Sequence, residues 1–278
     1  MPLPTLYALA LLLAGPLGAR GETGPLDLSQ SDWNAFNVTV GGHLGRGVPF
    51  ARGCFDKAGF GVGPAAPGTE CSTVQAKYAD SAFRAQLYGP RQTTQWEICQ
   101  KTNEGCLLDS ENPSNASAYS PPAVCHQGSV SPYYVDIRSS DHVAKAFRFS
   151  KKTGIPLSIK NTGHDLIGRS SAPGTLALWT QNIKYISYSA SFVPKGCDSE
   201  YKGVPVLTYG AGQDMDGLFL FAEQHNVTFI GGSWGTVGAA GGWVQVILGS
   251  QSRSLSLCLT LQAGRGSLGA YEYVWARG

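Results

Sequence analysis

The chain has 278 residues, enough for one large or two modest domains around a buried core. With 42% hydrophobic and 14% charged residues it is not composed like a disordered chain, and its 36 glycines and 16 prolines cluster in loops without a collagen-like or solenoid period. A formal charge of +2, with no basic stripe interleaved with aromatics, argues against nucleic acid as a partner.

Residues 6–14 are an almost unbroken apolar run, Gly15-Pro16 breaks it and Leu17-Gly18-Ala19 offers a cleavage site. Residues 1–19 are therefore predicted to be a secretory signal peptide, too short to span a bilayer, so the mature protein is expected to be extracellular and free of the membrane. Six cysteines from Cys54 to Cys197 follow it, with Cys258 apart near the end, and an oxidising compartment makes disulfides the simple expectation. Spacing suggests Cys54 with Cys71 and Cys99 with Cys106, although six cysteines permit about fifteen pairings. No close C-x-x-C spacing marks a zinc site, and no metal is expected. Asn37, Asn115 and Asn226 head glycosylation sequons, whereas Pro113 blocks the one at Asn112.

Residues 20–130 read as a cystine-tied N-terminal region, irregular and rich in Gly, Pro, Asn and Ser, with a short helix over 72–87. Regular alternation begins at residues 133–138, a strand by its β-branched and aromatic content. Ser139 or Ser140 then caps a helix with Val143, Ala146, Phe147 and Ser150 on one face, closing at Lys151-Lys152 and Gly154. Strands follow at 155–160 and 175–179, and this β-α-β order implies parallel pairing. After a polar excursion at 187–202 the pattern repeats in outline. A strand at 204–209 precedes a helix capped by Asp214, with Leu218, Phe219, Phe221 and Ala222 turned inward, and then a strand at 227–230. The fold class is α+β, and each unit delivers a glycine-rich loop.

The first loop runs Asn161-Thr162-Gly163-His164-Asp165 to Gly168-Arg169-Ser170-Ser171, and the second runs Gly231-Gly232-Ser233-Trp234-Gly235-Thr236-Val237-Gly238 to Gly241-Gly242-Trp243. Glycines and turn formers let many backbone N–H groups face one point, which an anionic ligand requires, and Lys160 or Arg169 could add charge. His164 is the one histidine inside such a loop. By type alone it is an ordinary hydrogen-bonded polar residue; beside Gly163, with close backbone approach possible, a neutral imidazole is also a competent nucleophile.

Two motif matches are rejected. Gly231-Gly232-Ser233-Trp234-Gly235 fits the hydrolase elbow G-x-S-x-G, but no histidine follows Ser233 to complete a triad. Gly264-Arg265-Gly266-Ser267-Leu268-Gly269 fits G-x-G-x-x-G, but too little chain remains for the helix and ribose-binding acid that the fingerprint needs.

The two loops, in this order and separation, with residues 179–182 and Gly210-Ala211-Gly212, resemble the flavin-binding domain of the vanillyl-alcohol oxidase (VAO) and p-cresol methylhydroxylase (PCMH) superfamily. The pattern is most similar to that of the secreted, fungal, berberine bridge enzyme-like oxidases. The likeness covers about residues 131–245, which are read as a PCMH-type FAD-binding domain of two β-α-β-containing subdomains. It implies FAD, with Asn161, Thr162, Gly163, His164, Asp165, Gly168, Ser170, Ser171, Gly232, Ser233, Thr236, Val237, Gly238, Gly241 and Gly242 at the cofactor and a covalent bond from His164 to the flavin 8α carbon. It further implies an oxidoreductase that moves hydride from a small organic substrate to flavin, with molecular oxygen as acceptor. Some relatives attach the flavin a second time through a cysteine where Trp234 stands, so a single attachment is expected. After Gln245 the family pattern is lost. Residues 246–278, with Glu272 as the one acid, read as a non-native or alternatively spliced tail, with a natural edge strand or amphipathic tail as the alternative. The substrate domain, and the group that takes the substrate proton, are accordingly expected to lie outside this chain. The alternative function is an inactive, truncated flavin-binding secreted glycoprotein.

Overall fold

The computed structural model describes residues 27–193 and 202–241 and the backbone of 274–275; the signal-like segment, Cys197, Cys258, Gly242, the rejected glycine motif at 264–269 and nearly all of the tail lie outside the described residues. The first helix, α1 (Gln30–Thr39), starts from a capping box. The Ser29 hydroxyl accepts from the Asp32 amide and the Asp32 carboxylate accepts from the Ser29 amide, each at 3.2 Å. Its Trp33 and Phe36 are buried, and Trp33 stacks on Tyr133 with centroids 3.9 Å apart. β1 (Leu44–Arg46) then joins the sheet that the alternation placed after residue 131, so that sheet draws an edge strand and part of its core from far upstream.

The next hundred residues are tied by two disulfides and also have a core of their own around Phe50, Phe55, Val74, Tyr78 and Leu108. β2 (Lys57–Ala58) is short, and the single helix expected over 72–87 is two, α2 (Cys71–Ala76) and α3 (Ser81–Ala85). Asp80 starts the second by accepting from the Phe83 amide at 2.9 Å. Cys54 bonds Cys71 as expected, but Cys106 bonds Cys125, and Cys99 is free. The reason is local: residues 99–104 close a turn on themselves, while the His126 amide donates to the Gly105 carbonyl at 3.0 Å and sets Cys125, in β3 (Val124–Cys125), beside Cys106. β3 pairs parallel with β2.

β4 (Tyr133–Asp136), α4 (Ser140–Thr153), β5 (Leu157–Lys160) and β6 (Leu176–Trp179) form the first site-bearing unit. The sheet order is β1-β4-β6-β5, with β6 parallel to both neighbours and β1 antiparallel at the edge. Ser139 caps α4 and Gly154 ends it in the left-handed region at φ 80°. The inward face differs from expectation by one position: Ala146 is buried and Phe149 stacks on Phe36, whereas Phe147 is 55% exposed.

The second unit holds a strand that polarity concealed. β7 (Ile186–Phe192), within the supposed excursion, pairs antiparallel with β8 (Val204–Tyr209), and β9 (Val274–Trp275) pairs antiparallel with the other edge of β8. The short ladder from β9 is the one described part of the tail. Asp214 caps α5 (Met215–Gln224), whose Met215, Leu218 and Ala222 pack with Leu207 and Tyr209. Of the four residues expected to face inward, Phe219 is instead 38% exposed. Residues 227–230 form no strand. Asn226 at φ 52° turns the chain back along the helix, and the Val227 amide is committed to the Ala222 carbonyl at 3.0 Å. Phe229 packs on Tyr209 by its ring rather than by a backbone ladder. Among the described residues no helix is long and apolar enough to cross a membrane.

Candidate functional site

β5 ends at Lys160 and delivers the first loop directly from the sheet. Lys160 is fully buried; its Nζ donates to the Leu87 carbonyl at 2.7 Å and lies 5.7 Å from the ring centroids of both Tyr88 and Trp179. Burial, then the neighbouring Arg91 charge, pushes its amine well below the usual lysine range. Arg91, also buried, donates to the carbonyls of Tyr88 at 2.8 Å and Ser170 at 3.1 Å, and its backbone amide reaches the Glu97 carboxylate at 2.8 Å. The same carboxylate pairs with buried Arg84. Burial raises the Glu97 pKa against the pull of Arg84 and Arg91. One buried carboxylate thus holds the Arg84 guanidinium and the Arg91 backbone amide beneath the loop, while the Arg91 guanidinium is met by carbonyls, and none of these supports was singled out from sequence. Arg84 lies in α3, within the helix expected from sequence, and Arg91 and Glu97 lie in the irregular stretch after it, with no pattern to mark any of the three as supports.

Above this platform Gly163 sits at φ +95°, and a Cβ there would stand 3.1 Å from the Lys160 Cε and 3.3 Å from the Arg91 Cα, so the loop rests on the buried cations with no room for a side chain. His164 follows, half-buried. Its Nε2 lies 2.7 Å from the Thr236 hydroxyl of the second loop, and its ring meets Trp234 edge-on with centroids 5.6 Å apart. Burial, and after it the Lys160 charge, pushes the imidazole down to about 4, so it is neutral at physiological pH.

The second loop is held from α5 rather than from a strand. The Met215 amide donates to the Val237 carbonyl at 3.1 Å, the Asp216 amide to the Gly235 carbonyl at 2.9 Å and the Ala239 amide to the Gln213 carbonyl at 3.0 Å. Gly238 lies directly against the Asn161 side chain, leaving no space for a Cβ. The Asn161 Nδ2 donates to the Ala211 carbonyl at 2.6 Å, while its buried Oδ1 has no partner among the described residues. The structure thus brings Asn161 and His164 of one loop against Thr236 and Gly238 of the other.

Other residues singled out from sequence are placed differently. Thr162 is buried, with its carbonyl 3.4 Å from the Gln92 amide group. Asp165 accepts from the Ile167 and Arg169 amides and closes the loop's own turn. Gly168 packs against Trp96, Ser170 bonds Arg91 through its carbonyl, and the Ser171 hydroxyl donates to the Ser129 carbonyl. These shape the loop from behind. Val237 packs toward the α5 core, Gly232 is half-buried, Ser233 is exposed, and Gly241, at φ +94°, has open space where a Cβ would stand. Neither suggested source of extra charge is free: Lys160 is committed to Leu87, and Arg169 pairs with Asp165 at 3.1 Å.

What remains for an anion is backbone. Among the described residues no acceptor faces the N–H groups of Gly163, His164, Gly232, Ser233 and Thr236. Unclaimed amides on two facing glycine-rich loops are the donors that an anion would need. A cleft of about 490 Å³ reaches the second loop at Thr236 and is lined also by Gln86, Gln181, Lys184, Asp214 and Asp216, a volume within the range of small-ligand sites. Gln181 is buried with its Oε1 unpartnered. Free amides, an orphaned carboxamide and a neutral imidazole fit a flavin nucleotide with its pyrophosphate.

No family model matches the chain. Among curated proteins, the FAD-linked oxidoreductase cheF of Chaetomium globosum is 39% identical over 234 residues, 84% of this chain and 36% of that protein. The FAD-linked oxidoreductase phmC of Phaeosphaeria nodorum is 37% identical over 214 residues, 77% of this chain and 42% of that protein. Among solved structures, the VAO-type flavoprotein MtVAO615 of Myceliophthora thermophila C1 matches with a TM-score of 0.62 and 28% identity, over 78% of this chain and 36% of its own. The fold is that of the VAO-type flavoproteins. The chain belongs to the VAO/PCMH-type FAD-binding oxidoreductase family and spans 36–42% of the length of these relatives.

Proposed function

We propose that this chain is the flavin-binding part of a secreted FAD-dependent oxidoreductase, with FAD held between its two glycine-rich loops and bonded covalently to His164. The backbone amides of Gly163, His164, Gly232, Ser233 and Thr236 meet the pyrophosphate, and Asn161 and Gly238 keep the loops at a fixed separation. FAD supplies the hydride acceptor for a small organic substrate, with molecular oxygen as the final acceptor. The protein's own work is to position the cofactor, exclude water from one side of it and present an unprotonated imidazole. The flavin unit is assigned to residues 131–245, preceded by the cystine-tied region and a cleaved signal at 1–19, with Asn37, Asn115 and Asn226 as glycan acceptors.

The observation that carries this reading is the neutral, half-buried His164 joined to the opposite loop at 2.7 Å, in a setting otherwise lined by unclaimed amides. Incubation of the purified 278-residue chain with FAD, followed by denaturing electrophoresis and peptide mapping, tests it. One fluorescent flavin peptide containing His164 is expected, absent from His164→Ala. Flavin attached to any other peptide, or none bound at all, overturns it.

A further inference from the structure

We infer that Thr236 is a positioning residue for flavin attachment: its hydroxyl accepts the Nε2–H of His164, and this selects the tautomer that leaves the lone pair on Nδ1. The inference rests on the proposed covalent bond to His164 and adds which nitrogen makes it and what directs it.

Nε2 and the Thr236 Oγ1 are 2.7 Å apart, a full hydrogen bond across the two loops. Among the described residues nothing bonds Nδ1, and it is not among the buried orphaned atoms, so it is open to an incoming group. A hydroxyl can accept from Nε2–H or donate to bare Nε2, but in neutral imidazole the Nε2–H form is the more stable in water, and Thr236 as acceptor reinforces it. The partner of one ring nitrogen determines the chemistry of the other. Thr236 is itself well placed: its flanking residues Gly235 and Val237 are tied by their carbonyls to the first turn of α5, and Gly238 abuts Asn161. Trp234 meets the imidazole edge-on and limits its rotation.

In the attachment step the Nδ1 lone pair forms a bond to the flavin 8α carbon. That carbon loses one proton, the electron pair of its broken C–H bond passes into the isoalloxazine ring, and the imidazole releases its Nε2 proton. The ring takes up both protons and is left reduced by two electrons. Dioxygen then removes two electrons and two protons as hydrogen peroxide and restores the oxidised, linked cofactor.

The test compares wild type, Thr236→Val and Thr236→Ser, each incubated with FAD and sampled over time for flavin that survives denaturation. A second readout, on ¹⁵N-histidine-labelled protein without flavin, is the imidazole nitrogen spectrum, with His164 assigned by its disappearance in His164→Ala. Wild type and Thr236→Ser should show protonated Nε2 and link flavin at similar rates. Thr236→Val keeps only the intrinsic preference for Nε2–H and loses the bond that holds the ring, so it should show a weaker, averaged Nε2–H signal and link measurably more slowly, while still binding FAD that washes out on denaturation. Equal linkage rates in wild type and Thr236→Val, a wild-type spectrum with protonated Nδ1, or a serine variant as slow as the valine variant would each overturn this inference alone. A wild type that binds FAD without linking it overturns the covalent reading and this inference together.

Discussion

The two loops that meet at His164 and Thr236 are built on unlike foundations. The first leaves a sheet strand and rests on a buried platform of Lys160, Arg91, Arg84 and Glu97. The second leaves no strand and hangs from the first turn of α5 by backbone bonds to Val237 and Gly235. A platform of buried charge is rigid but depends on every member being paired, whereas a loop hung from a capped helix end depends on a few individually modest bonds. The nucleophile therefore sits on the rigid side and its hydrogen-bond partner on the adjustable side.

Removing the one carboxylate from the platform is expected to have the largest effect. Glu97→Ala leaves Arg84 buried without its ion-pair partner and the Arg91 amide without its acceptor and should cost about 3–5 kcal/mol, read as a lowered urea midpoint with loss of FAD binding. A loss under about 1 kcal/mol would show that the platform is hydrated and not a dry network. Next is the Cys54–Cys71 disulfide, which closes a span of 17 residues around the second core. Replacing both cysteines by serine should cost about 3 kcal/mol, read as a lowered urea midpoint, and should loosen the platform as well, since Arg84 packs on Phe50 and Tyr78 of that core. On the adjustable side, Asp214→Ala removes the cap that accepts the Gly217 amide at 3.0 Å and should cost about 1 kcal/mol. Its expected signature is faster amide exchange at Val237 and Ala239, whose amides are hydrogen-bonded, with no change at the hydrogen-bonded amide of Gly168 in the first loop. Equal acceleration in both loops would erase the distinction drawn between them.

Much of this arrangement is legible in the chain, and the parts that are not share a cause. Local chemistry is visible: Ser139 and Asp214 as caps, Gly154 as a helix end, β4, β6 and β8 from branched and aromatic runs, and the paired glycine-rich loops. Misread features depend on partners distant in sequence or on a backbone bond that sequence does not display. β7 was concealed because serines occupy alternate positions of an exposed edge, so polarity resembled an excursion. Residues 227–230 have strand composition, but the left-handed Asn226 commits Val227 to the helix end. Cys125, at 19 residues' separation, reaches Cys106 ahead of nearby Cys99 because the intervening chain folds back through β3. In the site, two motifs predicted that the loops belong together, but the atoms that join them, the His164 Nε2 and the Thr236 hydroxyl, are 72 residues apart.

A pH-dependent effect bears on the imidazole itself and separates its burial from its hydrogen bond. With His164 pushed down to about 4 in the folded chain, the unfolded chain, with an ordinary histidine near 6.5, binds more protons at every pH between these values. Stability therefore rises with pH across that window. The contribution of neutral His164 is fully present above about 6.5 and is lost as pH falls toward about 4, below which both states are protonated and the loss is complete. His164→Gln removes this titration while keeping a polar side chain near Thr236. The difference in urea midpoint between wild type and His164→Gln should thus be flat above about pH 6.5 and move against the wild type from there down to about pH 4. Nucleophilicity follows the same protonation: the rate of flavin attachment should hold nearly constant from pH 8 to pH 5 and fall only near about 4. A break near 6.5 in the attachment profile, or a midpoint difference that stays flat from about pH 6.5 to about pH 4, would mean that His164 titrates as a solvated histidine. The first loop would then not bury its nucleophile, and the contrast between a rigid, dry loop and an adjustable one would lose its most direct chemical consequence.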